Sequence, residues 1–126
     1  MTEKNVFYKT TLTRVIISKI LDQKNPDIIK ATHVPGFANP DKIFDRNKDR
    51  GYVPDITAHF EDAAYIYEIE PDNSDMPVEK WRIFSTYARD NNGSLYILVP
   101  DYIKEDVEQE LNDKNIDAGV IYFETA

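Results

Sequence analysis

Residues 54–70 read PDITAHFEDAAYIYEIE, and the expected fold is built outward from this stretch. Apolar and polar residues alternate over residues 53–60, and a run rich in tyrosine and isoleucine follows over residues 64–70. Both patterns are typical of β-strands. The acidic pair Glu61-Asp62 between them predicts a turn, so we expect the two strands to form an antiparallel hairpin.

This hairpin is expected to bring three carboxylates together. Alternate residues of a strand share a face, so Glu68 and Glu70 point the same way. A two-residue turn pairs Asp55 with Glu68, and a four-residue loop pairs Asp55 with Glu70. A three-residue loop without a bulge would separate the carboxylates. Carboxylates this close stay ionised only around a cation, unless one keeps its proton. Hard oxygen ligands of this kind suit Mg²⁺ or Mn²⁺.

The remaining patterns predict helices and strands around the hairpin. Apolar residues at helical spacing predict helices, and short apolar runs predict strands. Pro, Gly and Asn residues mark where these elements end. We expect a single domain, residues 1–126, of the α/β (α+β) class, built as a three-layer sandwich of a central mixed sheet and flanking helices. The predicted elements are a helix at 10–22, a strand at 28–34, a loop at 35–51, a helix at 77–91 capped by Ser74 or Asp75, a strand at 95–99, an acidic helix at 102–113 and a strand at 119–123.

The composition excludes several classes of protein. The chain has 126 residues, a formal net charge of −8 and no cysteine. A disulfide scaffold, a thiolate zinc site and a cysteine nucleophile are therefore excluded. No apolar run is long enough to span a bilayer, and the first residues lack a signal-peptide pattern. We expect a cytoplasmic protein with no membrane partner.

Charge is distributed unevenly along the chain. Residues 1–60 contain ten Lys and Arg against seven Asp and Glu, whereas residues 61–126 contain five against sixteen. An acidic chain is a poor general ligand for nucleic acid, because phosphate contacts need cations. The densest basic stretch nevertheless lies just before the Pro54-Asp55 pair. It supplies the candidate nucleic-acid contacts, which are Lys42, Arg46, Lys48 and Arg50.

The order of these features resembles that of a known nuclease superfamily. From Leu12 to Val99 the chain presents a helix, strands, Pro-Asp, Glu-x-Glu, a helix and an apolar strand. This order resembles the PD-(D/E)XK, or restriction-endonuclease-like, superfamily. The resemblance implies a nuclease that hydrolyses phosphodiesters with Mg²⁺ or Mn²⁺. It also implies that Asp55 and Glu68 are metal ligands.

Glu70 departs from this superfamily, since it stands where the family usually has a catalytic lysine. Three consequences are open. Glu70 acts as a base or a further metal ligand, or Lys80 on the next helix replaces the missing lysine, or the domain is catalytically inactive. Members also often carry an acidic residue on the first helix, and here that helix offers only Asp22. The candidate catalytic set is Asp55, Glu68, Glu70 and Lys80.

A second hypothesis is a non-catalytic interaction module on the same scaffold. It would use the sheet and the acidic second half of the chain to bind a protein partner, and it predicts no metal binding. The missing motif lysine supports this alternative. Nucleic acid, a protein partner and a second copy of the chain in a homodimer are thus the candidate partners.

Overall fold

The computed structural model describes residues 3–73 and 76–124 of the chain, with side chains described from residue 9 onward. Five strands follow the first helix, and helices and strands alternate after them. The elements are α1 (Glu3–Gln23), β1 (Ile28–Ala31), β2 (Ile43–Phe44), β3 (Gly51–Tyr52), β4 (Ile56–His59), β5 (Ala64–Ile69), α2 (Val78–Asp90), β6 (Leu95–Pro100), α3 (Lys104–Asp113) and β7 (Gly119–Phe123).

Within the described residues, five strands form the central sheet in the order β1-β4-β5-β6-β7. The pairs β1–β4 and β4–β5 are antiparallel, and the pairs β5–β6 and β6–β7 are parallel. The change of direction follows from the connections, because a short turn joins β4 to β5 whereas α2 and α3 provide the crossovers after β5 and β6. The expected mixed sheet with an antiparallel hairpin is thus confirmed.

The hairpin turn fixes the register that matters for the site. The Phe60 N–H donates to the Ala63 carbonyl at 2.8 Å, so Glu61-Asp62 is a two-residue turn. Ile56 then lies opposite Tyr67, and one further step places Asp55 opposite Glu68. Of the loop lengths considered, the two-residue turn is the one found.

Helices cover both faces of the sheet. On one face α2 and α3 bury Trp81, Phe84 and Val107 against a cluster that includes Ile66. On the other face, Ile17 of α1 belongs to a cluster with strand residues of β4 and β5. Strand alternation explains the division, since neighbouring residues of β5 enter opposite clusters. In the described part of the chain, no helix is long and apolar enough to cross a membrane.

Several predicted boundaries are wrong. The first helix begins at Glu3 rather than at residue 10. The strand predicted at 28–34 ends at Ala31, because His33 adopts a left-handed conformation (φ 55°). The predicted strands 53–60 and 64–70 are shorter at their ends, and a 3₁₀ turn precedes the acidic helix. The proposed caps Ser74 and Asp75 lie outside the described residues, and α2 starts at Val78 with Pro77 as its N-cap.

The predicted loop at 35–51 contains a small hairpin, β2–β3. Ile43 of this hairpin is buried in the cluster under α2, so the segment is held by packing rather than by strand length. Asp45 Oδ1 closes the turn by accepting the N–H groups of Asp49 and Arg50. Two-residue strands are too short to show an alternation of apolar and polar residues, so the sequence pattern did not predict this hairpin.

Gly93 is required by a close approach between α2 and β5. Asn92 takes the left-handed conformation at the end of α2 (φ 61°), so Gly93 is not needed there for a positive φ. A Cβ at Gly93 would instead lie 1.7 Å from the Ala64 carbonyl oxygen, inside the start of β5. The helix end and the strand approach closely only because this side chain is absent.

We therefore expect Gly93→Ala to lower the free energy of unfolding by roughly 2–4 kcal/mol, because backbone must shift to admit the methyl group. Chemical denaturation monitored by circular dichroism measures this change. The exposed neighbour Ser94, changed to alanine, is the control and should alter stability little. Equal effects of the two changes would show that the contact with Ala64 is not limiting.

Candidate active site

The carboxylates of Asp55 and Glu68 each accept a hydrogen bond from a backbone N–H group on the opposite side of the hairpin. The backbone N–H of Asp55 donates to Glu68 Oε2 at 2.6 Å, and the backbone N–H of Ile69 donates to Asp55 Oδ2 at 2.9 Å. Each carboxylate thus satisfies a backbone donor on the partner strand at the end of the β4–β5 ladder. This end is the carboxyl end of β5, where open α/β sheets commonly bind ligands.

A third strand fixes the Pro54-Asp55 segment from the other side. Thr32, just after β1, donates its hydroxyl to the Pro54 carbonyl at 2.7 Å and its N–H to the Asp55 carbonyl at 2.9 Å. Asp55 is therefore held between β1 and β5 before β4 begins. Its position is set by backbone contacts rather than by loop packing.

Glu68 is the most deeply buried charged residue of the site. Its side chain is 1% exposed, and Lys80 Nζ of α2 lies 3.0 Å from Glu68 Oε1. Among the described residues no hydrogen bond of good direction reaches this oxygen, so the contact with Lys80 is an ion pair. Lys80 thus lies next to a carboxylate of the site. This is the position required by the hypothesis that Lys80 replaces the lysine missing at position 70.

Glu70 lies on the same side of the sheet, against α2. Its side chain is largely buried, and Trp81 donates its indole N–H to Glu70 Oε1 at 3.3 Å. Trp81 itself is fully buried, so the indole fixes the orientation of this carboxylate. The contact of Trp81 with Glu70 was not predicted from the sequence.

Lys9 is the member of the site that the sequence missed entirely. Its Nζ lies 3.1 Å from Asp55 Oδ2, and both side chains are mostly buried. The interval from Lys9 to Leu12 and Ile16 is three and seven residues, which is the spacing of one helix face. That spacing was the available signal, but the predicted helix began at residue 10.

Burial and mutual repulsion shift the ionisation of the two glutamates. Burial, and then the charge of Asp55, raise the pKa of Glu68 to about 8, against the opposing effects of Lys80 and the Asp55 N–H. Burial also raises the pKa of Glu70, while Lys80 and Lys9 oppose that shift. The pKa of Lys80 is raised, despite its burial, mainly by Glu68 and Glu70, so Lys80 remains an ammonium group at neutral pH.

The donor set fits a hard divalent cation, but the carboxylates already have cationic partners. Within residues 3–73 and 76–124, no group of three or more His, Asp or Glu side chains lies in a geometry that would hold a metal ion. Lys9 Nζ lies beside Asp55 and Lys80 Nζ lies beside Glu68. These ammonium groups offset part of the repulsion between the carboxylates, but burial and the charge of Asp55 still raise the pKa of Glu68 to about 8.

The candidate nucleic-acid residues divide into two groups. Arg46 pairs with Asp90 at 3.4 Å, and Arg50 pairs with Glu79, so both arginines fasten the β2–β3 hairpin to α2. Lys42 lies over the Phe44 ring at 5.7 Å, and Lys48 is an exposed turn residue with a positive φ.

A separate apolar groove lies on the α1 face of the sheet. It has a volume of about 760 Å³ and is lined by residues of α1, of the turn before β5, and of β5, β6 and β7. Tyr65, Tyr67 and Tyr96 stack side by side along it, with ring centroids 5.4 and 6.4 Å apart. Ile121 of β7 lines it as well and is 42% exposed. The groove extends toward the Phe60–Ala63 turn, which is the end of β5 opposite the carboxylates.

No protein-family model, curated protein or solved structure matches this chain.

Removing the ammonium group of Lys80 tests the buried ion pair. We expect Lys80→Met to reduce the free energy of unfolding by roughly 1–3 kcal/mol at pH 7, less than for a permanently charged partner because Glu68 can take up a proton. The control is Lys104→Met, which removes an exposed partner of Glu108 at the same 3.0 Å distance and should change stability little. Similar losses in both variants would contradict a special role for burial.

The raised pKa of Glu68 predicts a pH dependence of stability. The folded protein holds this proton more tightly than the unfolded chain, so the free energy of unfolding should fall as pH rises from about 4.5 to about 8. Glu68→Gln removes the titrating group and should flatten this part of the profile. Urea denaturation at half-unit pH intervals measures it, and an unchanged slope in Glu68→Gln would assign the effect to other groups.

Proposed function

We propose that this chain is a restriction-endonuclease-like domain with a divalent-metal-dependent nuclease site. The observation that carries the proposal is that Asp55 and Glu68 meet at the carboxyl end of β5, with Lys80 of α2 3.0 Å from Glu68 and with Glu70 near enough for the charges of Asp55 and Lys80 to act on it. The order α1, three antiparallel strands, α2 and a parallel strand supports it, since the PD-(D/E)XK layout has these elements in this order.

Asp55 and Glu68 would hold the metal, and Glu70 would either bind the metal as well or assist the attacking water. Carboxylate oxygens suit Mg²⁺ or Mn²⁺, and Glu68 Oε1 is a buried acceptor without a directed hydrogen bond from the described residues. A bound metal of this kind would polarise a phosphoryl oxygen and lower the pKa of its water.

In this proposal two residues take the roles of the usual motif lysine: Lys80 stabilises negative charge, and Glu70 assists the attacking water. Lys80 keeps a positive charge next to Glu68 at neutral pH, so it stabilises negative charge that develops on a phosphodiester bound there. Burial raises the pKa of Glu70 and Trp81 fixes its orientation, which suits Glu70 to accept a proton from the attacking water.

The β2–β3 hairpin supplies the proposed contacts with nucleic acid. Tyr52 at its end lies three residues before Asp55, so the hairpin borders the site. Arg46 and Arg50 are paired with α2, which leaves Lys42 and Lys48 as the better candidates for direct phosphate contact. With so few cations, binding is expected to be weak and to depend on the metal.

A non-catalytic interaction module is the second candidate function. The apolar groove of about 760 Å³ between α1 and β7 favours it, since large uncovered apolar surface is typical of sites that bind another protein. This groove lies away from the carboxylates, so the two functions make separate predictions. Calorimetry that shows no Mn²⁺ binding at millimolar concentration would favour the interaction module.

A plasmid-nicking assay tests the nuclease proposal. We expect the wild-type protein with Mn²⁺ or Mg²⁺ to convert supercoiled plasmid to the nicked form, and Asp55→Asn to reduce this rate by about 100-fold or more, because it removes a charged metal ligand. EDTA should abolish the activity.

Asp41→Asn is the matched control, because it removes an aspartate that also pairs with a lysine but lies exposed outside the site. Its nicking rate should equal that of the wild type. Absence of nicking by the wild-type protein, or equal rates in Asp55→Asn, would remove the nuclease and leave a degenerate relative of the superfamily or the interaction module.

A further inference from the structure

Lys9 contacts Asp55 Oδ2, the carboxylate oxygen that also accepts a hydrogen bond from β5. Asp55 Oδ2 accepts the Ile69 N–H at 2.9 Å, and Lys9 Nζ lies 3.1 Å from the same oxygen. A carboxylate oxygen has two lone pairs, so these two donors account for both. A cation that binds this oxygen therefore competes with Lys9 for it.

The surroundings distinguish this pair from an ordinary surface salt bridge. The side chains of Lys9 and Asp55 are 24% and 15% exposed, whereas Asp41, the partner of Lys30, is 91% exposed. Lys9 also acts on the rest of the site, since its charge opposes the raised pKa of Glu70. Its helix lies on the face of the sheet opposite Lys80, so ammonium groups reach the carboxylates from both faces.

We propose that Lys9 is a built-in counter-cation of Asp55 that competes with the divalent metal for this carboxylate. The inference rests on the proposed metal-dependent function and deepens it. Lys9 stabilises Asp55 without metal, and metal binding displaces the ammonium group from Oδ2. Lys9 is thus a positioning residue that sets the metal affinity of the site, because a metal that binds Oδ2 does so at the expense of the ion pair.

Mn²⁺ binding to purified protein, measured by electron paramagnetic resonance of the free ion, tests this inference. We expect Lys9→Met to bind Mn²⁺ about tenfold more tightly than the wild type, because the competing cation is absent. Lys9→Arg keeps a cation and should bind like the wild type. Lys30→Met removes the same charge beside exposed Asp41, and its affinity should stay within about twofold.

Thermal unfolding gives a second readout. Without metal, Lys9→Met should unfold at a lower temperature than the wild type, and Mn²⁺ should raise its melting temperature by more than it raises that of the wild type. Lys9→Gln serves the same purpose if the methionine variant does not fold.

The outcomes separate the inference from the proposed function. Mn²⁺ binding by Lys9→Met but not by the wild type would support the competition most strongly. Mn²⁺ binding of equal or lower affinity in Lys9→Met and Lys9→Gln would overturn the role of Lys9 and leave the metal site standing. No binding by the wild type or by either Lys9 variant would overturn the metal site and this inference together.

Discussion

The reciprocal bonds between Asp55 and Glu68 determine how this molecule is arranged at its candidate site. Each carboxylate accepts a backbone N–H of the opposite strand, at 2.6 and 2.9 Å, and so continues the pairing of β4 with β5 beyond Ile56 and Tyr67. The carboxylates must then lie together at the carboxyl end of β5. The two lysines follow from this constraint, since adjacent buried carboxylates need nearby positive charge.

The hairpin was predictable from the sequence because its features are local. The strand patterns predicted the hairpin but left its turn length open, and the structure has the two-residue turn that places Asp55 opposite Glu68. Lys80 was predictable as a candidate because it follows the motif on the next helix. Lys9 was not, because the contact spans 46 positions and depends on how α1 lies across the sheet. The β2–β3 hairpin was missed for a related reason, since buried Ile43 holds it and not a strand pattern.

The charges around the site also change the explanation of how its adjacent carboxyl groups are stabilised. The sequence alone suggested that converging carboxylates require a metal or a retained proton. The structure combines a retained proton with positive charge from the chain, since the pKa of Glu68 is raised to about 8 and Lys9 and Lys80 lie beside Asp55 and Glu68. The proximity of the carboxylates by itself is therefore compatible with a purely structural cluster, in which case the apolar groove on the α1 face would be the functional surface of an interaction module.

The burial of Glu68 bears on the choice between the proposed site and a structural cluster. A side chain that only accepted the Asp55 N–H could be neutral, since a glutamine oxygen makes the same bond. Glu68 is instead a carboxyl group whose side chain is 1% exposed, and burial and Asp55 raise its pKa to about 8. Burying an ion pair seldom stabilises a protein more than a neutral replacement does. Burying Glu68 beside Lys80 costs free energy that a neutral side chain would avoid, and a raised pKa of this kind is common at ligand and catalytic sites, which supports the proposed function.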